Sequence, residues 1–91
     1  MNELPHITVA TIVERDKQFL MVKEKSDGNI VYNQPAGHLE ANETLIQAVA
    51  RETLEETDWE VRIRHFLVVY QYASPLNGVC YVRLCFIAEP R

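Results

Sequence analysis

One stretch of this chain repeats its apolar residues at helical spacing: Leu45, Ile46, Val49, Ala50 and Leu54. The runs on either side of it are rich in β-branched and aromatic residues, so the pattern admits a sheet carrying a single long helix. "HITVATIV" (6–13) and "FLMVKEK" (19–25), separated by the polar "ERDKQ", predict an opening β-hairpin. A turn at Asp27-Gly28 follows, then "IVYNQPAGHLE", which holds a short strand and a Pro-Ala-Gly break. Beyond the helix, "WEVRIRHFLVVYQY" and "GVCYVRLCFIAE" flank a hairpin signal at Asn77-Gly78. The expected order is strand, strand, strand, helix, strand, strand, in one α/β domain spanning residues 1–91 without repeats or linkers.

The helix is expected to start from a cap at Asn42 and to run to about Thr57. At about 100° per residue, with Leu45 at zero, Val49, Ile46, Ala50 and Leu54 fall between about 40° and about 180°, the expected buried stripe. Glu55, Ala48, Glu52 and Glu56 fall between about 280° and about 20°. Three carboxylates thus share a face whose other occupant is a methyl group, and the space above Ala48 is a candidate ligand gap. Glu52, Glu55, Glu56 and Asp58 also crowd the helix end where the dipole is negative, each charge costing about 0.3–1 kcal/mol. Arg51, near about 240° and i,i+4 from Glu55, flanks the cluster and can orient a carboxylate. One arginine cannot balance three acids, and hard cations with oxygen ligands, Mg²⁺ above all, answer such a group; the bland alternative is an acidic face that meets water.

Charge bounds the partners. The 91 residues carry a net charge of -4 with no basic cluster, which excludes a nucleic-acid polymer but admits small phosphorylated ligands neutralised by metal. Cys80 and Cys85, five apart, would face opposite sides of a sheet, so neither a bridge nor a metal site is expected. No apolar run approaches twenty residues, which excludes a membrane span and makes a cytoplasmic location the expectation. The sequence ends at "CFIAEPR", directly after a long strand, and one helix is thin cover for such a sheet. A further segment, or a second copy in a homodimer, is expected to complete the core.

The segment "GHLEANETLIQAVARETLEETDW" (37–59) resembles the Nudix hydrolase (MutT-like) signature G-x5-E-x7-R-E-U-x-E-E-x-G-U, where U is aliphatic. Gly37, Glu43, Arg51, Glu52, Glu55 and Glu56 match in register. Thr53, Asp58 and Trp59 depart from it, all at structural positions, Asp58 standing where the family has glycine. With "NQPAGHLE" after an "ITVA" strand, the chain is similar within that family to the NudJ-like phosphatases, which act on nucleoside di- and triphosphates and on hydroxymethylpyrimidine diphosphate.

The resemblance implies a mixed β-sheet packed by the Nudix-box helix, an α/β/α sandwich in the family, here without the C-terminal helix. It implies Mg²⁺, with Mn²⁺ as substitute, held by Glu52, Glu55, Glu56 and the Gly37 carbonyl. Glu52 is then the first candidate for general base, Arg51 holds a catalytic carboxylate, and Glu43 braces the loop. Relatives that take their base from a later loop have no counterpart for it here. Lys23, with Lys25, is a candidate for the outer phosphates, against the ordinary fate of strand-end lysines in water; Tyr32, Gln34 and His38 are candidates beside the loop. Tyr70, Tyr72, Tyr81, Phe86 and Arg83 lie on strands where core or surface packing is the default, and one of the aromatics could stack on a base. The implied reaction is hydrolysis of a phosphoanhydride in a small phosphorylated substrate; the alternatives are a nucleotide-binding or regulatory module without catalysis, and an inactive truncated product.

Overall fold

The computed structural model describes residues 4–91. Among these residues seven strands and one helix appear in the order β1 (His6–Arg15), β2 (Gln18–Phe19), β3 (Val22–Ser26), β4 (Asn29–Asn33), β5 (Ala36–His38), α1 (Leu45–Thr57), β6 (Val61–Ala73) and β7 (Cys80–Pro90). The main sheet runs β2-β1-β7-β6, with β5 also paired to β1, and β3 and β4 form a separate hairpin. β1 and β7 are parallel while β6, β5 and β2 are antiparallel to their neighbours, so the sheet is mixed.

The expected opening hairpin is cut short. β2 pairs with β1 at only two positions, Glu14 with Phe19 and Arg15 with Gln18, around a turn in which Asp16 and Lys17 both have positive φ. Two left-handed residues give the tight primed turn that suits strand twist. The chain then leaves β1, and β3 pairs with β4 across the Asp27-Gly28 turn, freeing the β1 edge for β5. The break at 34–38 therefore contains a strand. On the other side of the sheet, β6 is two residues longer than β7, and two register shifts, between Ile63 and His65 and between Phe66 and Val68, absorb the excess.

Helix α1 corrects the sequence reading in two respects. Its N-cap is Thr44, not Asn42: the Thr44 hydroxyl accepts from Gln47 N–H at 3.1 Å and the Gln47 side chain accepts from Thr44 N–H at 2.8 Å, a reciprocal capping box. Asn42 instead takes a left-handed conformation, φ 65°, in the loop before it. Its buried residues are Ala48, Val49 and Thr53, while Ile46 and Leu54 lie 50% and 42% exposed. Ala48 is fully buried against the sheet, so no ligand gap lies above it. The docking face was hidden because it is made of small residues that let helix and sheet approach closely; a ranking by side-chain hydrophobicity prefers the outward Ile46 and Leu54.

Alternation along the strands sets the core. Val9 and Thr11 of β1, with Phe86 of β7, face α1, and Val9, Ala48, Val49 and Phe86 form one cluster with Leu39, Leu45, Ile63 and Leu84 against it. A second cluster joins Val13, Val61 and Ala88, with Leu20 and Trp59 packed on it. Thr53 is explained by Thr11: their hydroxyls meet at 2.7 Å, fully buried, and Thr53 donates onward to the Val49 carbonyl at 2.8 Å. Since Thr53 has one proton, Thr11 is the donor between them. The opposite sheet face carries Tyr81, Arg83 and Cys85 of β7 beside Thr8 and Ala10 of β1, and no helix covers it among the described residues. Cys80 and Cys85 are free thiols, that of Cys85 pushed up in pKa mainly by burial. No helix is long and apolar enough to cross a membrane among the described residues.

Candidate active site

The cost of crowding acids at the end of α1 is met largely by Arg51. Its guanidinium lies 2.7 Å from Glu43, 2.8 Å from Glu52, 3.4 Å from Glu55 and 3.6 Å from Glu40, and donates to the His38 carbonyl at 3.1 Å. Glu43, Glu52 and Glu40 raise its pKa, the Glu43 hydrogen bond most of all, against burial, which lowers it. Four carboxylates around one fixed planar donor make a frame that lysine could not reproduce. Glu43 also accepts from Glu40 N–H at 2.8 Å, and the Arg51 hydrogen bond holds its carboxyl below the usual range.

Gly37 is required for space. A Cβ built there would overlap the Glu52 carboxylate, and its φ lies outside the left-handed region. Helix α1 thus lays Glu52 directly on the β5 backbone, where Arg51 engages Oε1 and Oε2 has no hydrogen-bond partner among the described residues. One turn later Glu56 accepts from Ala36 N–H at 2.8 Å. Its carboxyl is pushed up in pKa chiefly by desolvation, then by Glu52, Glu24 and Glu55, against the Ala36 hydrogen bond, which lowers it. Of the three box glutamates, Glu56 is the one that Arg51 does not pair with. Glu55 stays largely in water, its side chain 58% exposed.

Glu52 and Glu56 therefore lie against the β5 backbone, with the exposed Glu55 beside them on the helix. Among the described residues no three acidic, His or Cys side chains already converge at metal-holding distances. The donor set nonetheless suits a hard divalent cation: carboxylate oxygens from successive turns, one carboxyl under charge strain, and backbone oxygens beside them.

The outer candidates divide. Gln34 and His38 line an open pocket of about 510 Å³ with Thr8, Ala36, Gly37, Tyr72, Tyr81 and Arg83. Lys23 and Tyr32 are paired in register across the β3–β4 hairpin and do not line it; alternation turns them to the face opposite Glu24 and Asn33, which do. Glu24 was passed over in the sequence in favour of its lysine neighbours, although the strand period of two in "VKEKS" separates them. Its charge reaches Glu56, and it accepts weakly from Asn33 Nδ2 at 3.5 Å.

Comparison with known proteins agrees with this geometry. The NUDIX domain model matches residues 4–84. Phosphatase NudJ of Escherichia coli strain K12 is 44% identical over 85 residues, 93% of this chain and 55% of that protein. A solved NUDIX hydrolase from Nitrosomonas europaea superposes with a TM-score of 0.91 at 39% identity, covering 97% of this chain and 60% of that one. A second from the same organism gives 0.80 at 33%, covering 100% and 50%. The chain spans a little over half the length of the curated relatives it matches. With the box residues in register and the mixed sheet and helix in place, the chain belongs to the NUDIX domain family.

Proposed function

We propose that this chain hydrolyses a phosphoanhydride bond in a small diphosphate or triphosphate, a nucleotide or a related pyrimidine diphosphate such as hydroxymethylpyrimidine diphosphate, with Mg²⁺ as cofactor and Mn²⁺ able to replace it. The observation that carries the reading is that Arg51 holds Glu52 and Glu55, and Ala36 N–H holds Glu56, around the Gly37 backbone. The phosphatase name of the relatives at 44% identity supports hydrolysis that releases phosphate.

In this reading Glu52, Glu55 and Glu56, with the Gly37 carbonyl, hold the metal, which supplies charge neutralisation on the phosphate oxygens and a more acidic water. Arg51 fixes the carboxylates in advance, so reorganisation during reaction is small. Glu52 takes the proton of the attacking water through the oxygen that Arg51 leaves open. Glu43 holds Arg51 and the loop without touching the reacting atoms.

Glu55→Gln and Glu56→Gln test this. Each is expected to lower turnover by about 10²-fold or more, the scale of losing a charge-stabilising group, while far-UV circular dichroism stays unchanged. Because the pKa of Glu56 is raised in the fold, its ionisation destabilises as pH rises through that pKa, so Glu56→Gln should be no less stable than the parent at pH 7 without metal. Activity retained in both variants would remove the assignment.

A further inference from the structure

We infer that Glu24 is a further carboxylate of the divalent-cation site, presented from the β3–β4 hairpin opposite α1, an assignment that rests on the cation reading of Glu52, Glu55 and Glu56. The three box acids arrive on one helix and so approach β5 from one side. Glu56 accepts from Ala36 N–H, and Glu52 lies against Gly37. Glu24 borders, with the same Ala36 and Gly37, the recess on the side of β5 away from α1. A cation beside β5 thus has oxygen donors on two walls, which suits the octahedral shell that Mg²⁺ demands better than donors from a single helix.

Strand alternation makes the placement specific. In "VKEKS" Glu24 stands between two lysines, and the period of two turns Lys23 and Lys25, with Tyr32, to the face opposite Glu24 and Asn33. The hairpin therefore sorts its charges, cations outward and the acid inward. Neutralising the box acids from within the chain would need the reverse, one of those lysines facing Glu56. Among the described residues Glu24 forms no ion pair, and its hydrogen bond from Asn33 Nδ2 is long, 3.5 Å. Its charge instead adds to those of Glu52 and Glu55 in holding the Glu56 carboxyl up in pKa, behind desolvation as the main cause. Four acids turned on one another repel; a hard divalent ion among them makes the same oxygens ligands.

The hairpin can deliver this side chain. β3 and β4 hydrogen-bond to each other and to no strand of the main sheet, so no ladder fixes the distance between Glu24 and α1. Among the described residues no three acidic, His or Cys side chains converge at metal-holding distance, so the last part of the approach is made as the cation binds. Two freedoms supply it: the exposed Glu24 side chain can change rotamer, and the hairpin can shift as one unit. Leaving Asn33 costs Glu24 only a weak hydrogen bond.

The test uses Mn²⁺ alone, followed by the paramagnetic resonance signal of the unbound ion and by titration calorimetry. Glu24→Gln removes the charge and keeps the shape. Asp27→Asn removes one charge from the turn of the same hairpin, where asparagine also accepts the left-handed φ of 49°. Glu24→Gln should weaken Mn²⁺ binding about tenfold or more, the scale on which groups around a metal set its affinity, with the metal-free melting temperature unchanged. Asp27→Asn, an exposed charge screened by solvent, should weaken it by less than about twofold, and Glu56→Gln should weaken it as Glu24→Gln does. A Glu24→Gln loss below about threefold, or an equal loss in Asp27→Asn, overturns the role of Glu24. That result leaves the cation reading standing where Glu56→Gln still weakens binding. A parent that binds no Mn²⁺ overturns the cation reading itself, and the part of Glu24 with it.

Discussion

Gly37→Ala separates the site from the fold. The new methyl would lie well inside contact with the Glu52 carboxylate, whereas carbon atoms rest at about 3.5–4.0 Å, so the carboxylate must swing aside by more than about 1 Å. What gives way is the far end of a flexible side chain, and the backbone needs no left-handed φ, so the fold can absorb the change. Overpacking costs about 1–3 kcal/mol, and alanine recovers about 0.4–1 by restricting the unfolded chain. The net is about 1 kcal/mol, or a fall of about 4–8 °C in melting temperature for a domain of this size. The site fares worse, since the displaced carboxylate loses its 2.8 Å contact with Arg51 and the position from which it would act. A misplacement of about 1 Å can cost about 10²-fold, so kcat should fall by about two orders of magnitude. Differential scanning fluorimetry and steady-state phosphate release read the two effects in parallel. Turnover within about threefold of the parent would show that Glu52 does not work from behind Gly37, and an unfolded variant would show that the close approach serves the fold.

The helix terminus, the loop brace and the buried hydroxyl pair give further expectations. Asp58 is left-handed at φ 62°, its N–H bonded to the Leu54 carbonyl at 2.8 Å; Asp58→Gly relieves that conformation and should raise the melting temperature by a few degrees, about 1 kcal/mol, with turnover unchanged. A fall in melting temperature would contradict that account of the helix end. The Glu43 pKa is lowered in the fold, so its contribution is present above the unfolded value of about 4.5 and is lost as pH falls through the folded one. Glu43→Gln should accordingly lower the melting temperature at pH 7 and narrow its gap to the parent as pH drops towards 3; a constant gap in pH-dependent melts would refute the ion-pair origin. Thr53→Val strands the Thr11 hydroxyl without its acceptor and should cost about 1–3 kcal/mol in urea denaturation, whereas the Thr11→Val/Thr53→Val pair should return close to the parent; additive losses would show that the two hydroxyls do not depend on one another.

The parts of this fold that chemistry fixes locally were legible in the sequence. Arg51, Glu43 and the three box glutamates fall where their spacing puts them, because i,i+4 geometry and a glycine next to a carboxylate leave little freedom. Asp58 ends the helix for a similarly local reason. What the sequence concealed depended on partners distant along the chain. The face of α1 that docks is chosen by Thr11 and Val9, more than thirty residues earlier, so Ala48 and Thr53 are buried while the more hydrophobic Ile46 and Leu54 stay outside. The same holds for the aromatic candidates: Tyr70, Tyr72, Tyr81 and Phe86 are equivalent by composition. Only the pairing of β7 with β1 sends Phe86 to the core, and only its pairing with β6 sets Tyr72 beside Tyr81 on the open face. Without the two register shifts between β6 and β7, the Ala73–Cys80 pairing would carry past Tyr70 and Arg83 to place His65 opposite Ala88 and Phe66 opposite Ile87, and alternation would turn the Phe66 ring away from Phe86, which it meets at 5.5 Å. The bulges thus let β6 serve the core at its start while its end stays in regular register with β7 along the open face.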